Sequence, residues 1–116
     1  MARPPLNEEE RESRQQLAYL LRSVLGGRCS YLEAAPRIVH LRSLVGGVGD
    51  FDEDFRVFVG INSETDHLPT QATRHLWAEH AMTALEPEIA KLEAWAADLA
   101  RSSCETLLAR FPETGA

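Results

Sequence analysis

Paired helix starts and stops constrain this chain more than any other sequence feature. Asn7 stands three residues before Glu10, and Ser30 three residues before Glu33. In each pair a short polar side chain is placed to accept an amide of the first helical turn. Between them Leu17, Leu20, Leu21, Val24 and Leu25 recur at helical spacing until Gly26 and Gly27 interrupt the series. A second run, Ile38, Leu41 and Val45, ends in the same way at Gly46 and Gly47. Pro36 falls inside that run; without an amide proton it is expected to kink the helix or restart it.

A third start is expected at Asp50, with Glu53 three residues on, followed by Phe51, Phe55, Phe58 and Val59 as an apolar face. Val57, Val59 and Ile61 also alternate as a strand would, but the cap and the aromatic spacing agree on helix. After a polar stretch, Pro69 and Thr70 mark a fourth helix through Leu76, Trp77, Ala81 and Leu85. Pro87 is expected to restart the chain as a long fifth helix, with Ile89, Leu92, Ala96, Leu99, Ser103 and Leu107 inward and Trp95 at the border. The expectation is an all-α, single compact domain of about five helices spanning residues 1–116, frayed near 1–6 and 112–116, with a polar loop between the third and fourth helices.

Length fits one core, since 116 residues are too few for two domains of ordinary size. With 44% hydrophobic and 26% charged residues, enough apolar surface exists to offset chain entropy. No apolar run approaches bilayer thickness, so no membrane span is expected. The acidic start after MARPPLN lacks the apolar core of a signal peptide, which makes the cytoplasm the expected compartment. Cys29 and Cys104 have no paired spacing and read as small apolar residues bearing thiols.

The net charge of −6 is unevenly spread. Between residues 13 and 49, Arg14, Arg22, Arg28, Arg37 and Arg42 face only Glu33, whereas acids dominate from Asp50 onward. That distribution argues against nucleic acid as the main ligand, because phosphate binding needs clustered cations. An acidic face favours a basic protein instead.

Chemistry is concentrated between Asn62 and Trp77, where Glu64, Asp66, His67, Arg74 and His75 crowd together. Zinc or iron would suit His67, His75, His80 and Glu79, and His75 with Glu79 shares a helical face. No HExxH or paired-cysteine signature accompanies them, however, and His80 is rotated away. Ser63 near Asp66 and His67 lacks a nucleophile elbow, so nucleophilic catalysis has no support. Glu64 and Asp66 suit acid/base work or, more simply, loop ordering with Arg74 as a bidentate partner. Trp77 is expected to anchor this loop to the core. Of the acids at the third helix, Asp50 and Glu53 suit capping, where first-turn carboxylates contribute about 0.3 to 1 kcal/mol each. Asp52 and Asp54 are surplus to that role and are expected to dock a partner.

The segments YLEAAPRIVHLRSLVG, DEDFRVFVGINSETDHLP and EPEIAKLEAWA, with Arg74 and Trp77 between the last two, resemble a family of small, uncharacterised bacterial cytosolic proteins. The resemblance covers most of residues 18 to 111, and the SETDHLP string is its most specific label. Pro36 departs from the pattern, which leaves the second helix as the point to check. The family is similar to companions of secreted or contact-delivered bacterial toxins, and that resemblance implies an immunity protein. Its expected partner is a cognate toxin with a basic nuclease-type domain, held by Asp52, Asp54, Glu64, Asp66 and His67. The same reading expects a monomer with no catalytic residue, cofactor or metal. The alternatives are a metal-assisted hydrolase using His67, His75 and Glu79, and a regulatory helical protein-binding module.

Overall fold

The structure, a computed structural model, describes residues 7–49, 51–68 and 77–112. Four helices follow one another: α1 (Glu8–Leu25), α2 (Tyr31–Arg42), α3 (Glu53–Thr65) and α4 (Glu79–Arg110). All-α architecture is as expected from the sequence; among the described residues the number of helices is four rather than about five.

That difference lies at Pro87, the ninth residue of α4, which continues the helix where a restart was expected. Pro36 is likewise accommodated within α2 as its sixth residue. Each proline forfeits one backbone bond, but both rings face solvent, where water can hydrate the freed carbonyl. The expected entry to a helix at Pro69 and Thr70 lies outside the described residues.

Helix ends follow the sequence punctuation closely in the first half of the chain. Asn7 forms a full capping box: its side chain accepts from the Glu10 amide at 2.7 Å, and the Glu10 carboxylate accepts from the Asn7 amide at 3.2 Å. At the other end of α1 the Arg28 amide reaches the Ser23 carbonyl at 2.8 Å, and the Gly27 amide reaches Val24 at 3.1 Å. This is a Schellman closure, and it requires the left-handed φ of 78° that Gly27 adopts without steric cost. Ser30 accepts from the Glu33 amide at 3.1 Å and so caps α2.

α3 corrects the expected start. Its N-cap is Asp52, whose side chain accepts from the Asp54 amide at 3.0 Å, and the helix begins at Glu53. Asp50 lies outside the described residues. Phe51, expected on the buried face, precedes the helix and is 83% exposed, while Phe55, Phe58 and Ile61 are fully buried.

One core joins all four helices. Leu17, Leu20, Leu21 and Val24 from α1 meet Ala34, Ala35, Ile38 and Leu41 from α2, the three large side chains of α3, and Ala96, Ala100, Cys104 and Leu107 of α4. The inner face of α4 is therefore turned relative to expectation: Ala100 and Cys104 are buried and Leu99 is 45% exposed. Small residues at i, i+4 and i+8 allow the α4 backbone to approach its neighbours more closely than a leucine stripe would. Every fully buried residue of α4 lies at or beyond Ala96. The molecule is elongated, at 57 × 25 × 25 Å.

Candidate functional site: the α3 face and its two ends

α3 and α4 run antiparallel and are tied together near both ends. At the start of α3, Arg110 of α4 donates through Nη1 and Nη2 to the two oxygens of Asp52, each at 2.9 Å, and through Nη1 to Asp54 at 2.8 Å. The hydrogen-bonded guanidinium holds the Asp52 carboxyl below the usual carboxylate range, with burial opposing it and the Asp54 amide reinforcing it. Phe111 lies beside this cluster, its ring 5.3 Å from the Arg110 guanidinium and 5.0 Å from that of Arg14. Phe111 also meets Phe55 edge-on at 6.2 Å. Arg14 in turn donates to the carbonyls of Val45 at 2.7 Å and Gly46 at 3.1 Å, fixing the end of the α2 segment. This end of the molecule is a structural lock.

The other end is open. Around the C-terminus of α3, Glu64 of its last turn, the C-cap Asp66 and His67 are exposed. His67 Nε2 pairs with Glu88 Oε1 of α4 at 2.9 Å. Neither Glu64 nor Asp66 makes an ion pair with another described residue.

The five residues expected to contact a partner are thus divided. Asp52 and Asp54 are engaged by Arg110, whereas Glu64, Asp66 and His67 share the exposed turn. Sequence reasoning missed Arg110, which is 58 positions from Asp52 and has no local signal connecting it to that cap.

The proposed histidine set is not assembled among the described residues. His75 and Arg74 lie outside them, His67 faces Glu88, and Glu79 is an exposed residue in the first turn of α4. No group of three or more His, Cys, Asp or Glu among the described residues is placed to hold a metal ion. Trp77, expected to anchor the loop, is 41% exposed. The thiols fit the expected packing role: Cys104 is fully buried and burial pushes its pKa up to about 12. Among the described residues no helix is long and apolar enough to cross a membrane.

Between the two ends, the outer face of α3 and the flank of α4 form a shallow open groove of about 560 Å³. Its α3 wall is Glu53, Arg56, Val57, Gly60, Ser63 and Glu64, one helical stripe, and its α4 wall is Trp95 and Leu99. Trp95 is 38% exposed there. Large apolar groups therefore lie beside charged side chains along this groove.

Comparison with curated proteins and with solved structures finds no match. A family model does match, over residues 4–107, and its description is protein of unknown function DUF2489. The match spans most of the chain, which therefore belongs to the DUF2489 family.

Proposed function

We propose that this protein acts by binding, and that it neutralises a basic protein partner in the manner of an immunity protein facing a nuclease-type toxin. The observation that supports the reading is the exposed turn after α3. Glu64, in the last turn of the helix, and Asp66, at its C-cap, project there without an ion-pair partner among the described residues. A rigid helical support beneath exposed carboxylates can occupy a cationic cleft in place of phosphate, and it needs no reactive group of its own. Glu64 and Asp66 would contact the partner's cations, with His67 and neighbouring apolar atoms giving the drier centre. Asp52 and Asp54 lie at the opposite end of α3, where their carboxylates are taken by Arg110.

The test begins with the reading frames beside the gene. A toxin-like neighbour is co-expressed with this protein, and binding is followed by stopped flow at several salt concentrations. Replacing Glu64 and Asp66 with Ala is expected to slow association and flatten its salt dependence. Unchanged rates and an unchanged salt slope would refute the surface assignment, and protection of cells from no neighbouring product would refute the immunity reading.

A further inference from the structure

We infer that the α3 groove is the contact face of a symmetric homodimer, two copies meeting through Gly60 with Arg56 of each opposite Glu64 of the other. The charged residues along the groove occur in the order acid, cation, acid: Glu53, Arg56, Glu64. A uniformly basic occupant would bring positive charge onto Arg56, and an acidic one would meet two glutamates. A second copy, reversed, satisfies both signs.

The geometry follows from the sequence positions. An isologous contact lays the two α3 helices antiparallel, so each residue faces the one equally far beyond the twofold axis. With Gly60 on the axis, Arg56 and Glu64 stand four residues to either side, about 6 Å away along the helix. At that distance the long side chains can reach each other across the common helix-crossing angles. Neither makes an ion pair with another described residue of its own chain.

Gly60 suits the centre of such a contact. It is exposed, it is helical, and a Cβ built on it meets nothing within 4 Å. An exposed glycine in a helix interior costs about 1 kcal/mol relative to alanine, and close approach of a second backbone is a reason to retain it. Trp95 and Leu99 line the same groove, so they stand level with Gly60. The twofold axis leaves both copies of α4 on one side of the α3 pair, where these exposed side chains meet their counterparts. Antiparallel α3 and α4 from two chains then form a four-helix contact with small residues at the middle, apolar ones alongside and paired charges outside.

This inference does not rest on the toxin reading, and its test leaves Asp66 and His67 intact. The full chain is examined by sedimentation equilibrium as wild type, as Arg56→Glu, as Glu64→Arg, and as an equal mixture of the two variants. Wild type is expected to dimerise. Each single variant places like charges opposite one another twice per dimer, and should weaken association on the order of 100-fold. The mixture restores both opposite-charge pairs and should recover a heterodimer. Gly60→Gln, which fills the central contact while suiting a helix, is expected to be monomeric with unchanged helical circular dichroism. A wild type that remains monomeric at about 100 µM, a concentration that reveals even weak association, would overturn the inference. So would single variants that dimerise as well as wild type, or a mixture that fails to associate.

Discussion

Glu93, midway along α4, caps α2. Its two carboxylate oxygens accept the backbone amides of Tyr31 at 2.8 Å and Leu32 at 3.0 Å, more than 60 positions earlier in the chain. Ser30 takes the next amide, that of Glu33, so the first turn of α2 has its free donors satisfied by two different parts of the protein. A negative charge at a helix start is favourable in itself, and here it also fixes how α2 sits against α4. Glu93→Ala is therefore expected to lower stability by about 2 kcal/mol, the range for hydrogen bonds to a charged acceptor. Glu93→Gln, which retains one acceptor oxygen, should lose less. Urea denaturation of the three proteins checks the order, and equal stabilities would show that water replaces the cap at no cost.

Arg110 closes the far end of α3, and its contribution is expected to depend on pH. The ionised form of Asp52 is favoured in the folded protein, where its carboxyl titrates lower than in the unfolded chain. The pair accordingly contributes fully above about pH 4, where an unfolded aspartate ionises, and is lost as pH falls through the lower folded value. Arg110→Ala should cost about 1 kcal/mol at pH 7, allowing for solvent screening of partly exposed partners. The gap between wild type and variant should narrow below pH 4. Thermal melts between pH 2.5 and 7 measure it; a gap that widens in acid contradicts the assignment.

The two thiols should differ in reactivity. Cys104 is fully buried with a strongly raised pKa, so little thiolate forms at neutral pH. Cys29 is only partly buried, and its pKa is raised mainly by desolvation and then by Glu33. Alkylation of the folded protein is expected to label Cys29 slowly and Cys104 only on unfolding. Mass spectrometry of peptides after timed labelling distinguishes the two, and early modification of Cys104 would mean that the core opens readily.

Two glycines should respond to alanine with opposite signs. Gly27 has a left-handed φ of 78° with open space around a Cβ, so Gly27→Ala is expected to cost about 1 kcal/mol from conformation alone. Gly60 is in a regular helix with equal space, and Gly60→Ala should stabilise the dilute protein by about 0.5 to 1 kcal/mol. Chemical denaturation at low protein concentration gives both values, and the same sign at both sites would refute the reading.

The sequence showed most clearly what is decided locally. Asn7 with Glu10, Ser30, and the Gly26 to Gly27 stop act within one turn of the helices they bound, and α1 occurs where its leucine spacing predicts. The apolar pattern was less decisive in α4, where the choice between Leu99 and Ala100 as the inward residue depends on how closely the helices approach. At Pro87 the local bias of Glu86 away from helical geometry predicts a restart, and the continuous helix overrides it. At the candidate site, the exposure of Glu64, Asp66 and His67 followed from polarity. The engagement of Asp52 and Asp54 did not, because Arg110 reaches them only after the chain has folded back on itself. Glu93 and the pairing of Gly60 with Trp95 were hidden for the same reason.

Among the described residues, the first turns of α4 contain no fully buried side chain, and the hydrogen bonds that tie its first half to the other helices are those of Glu88 with His67 and of Glu93 with Tyr31 and Leu32. Amides in the first turns of α4 should exchange with deuterium before those around Cys104, because the apolar side chains there, Ala81, Met82 and Leu85, are only partly buried. A protease would find its earliest foothold in the same place, leaving a trimmed protein whose remaining helices still stand.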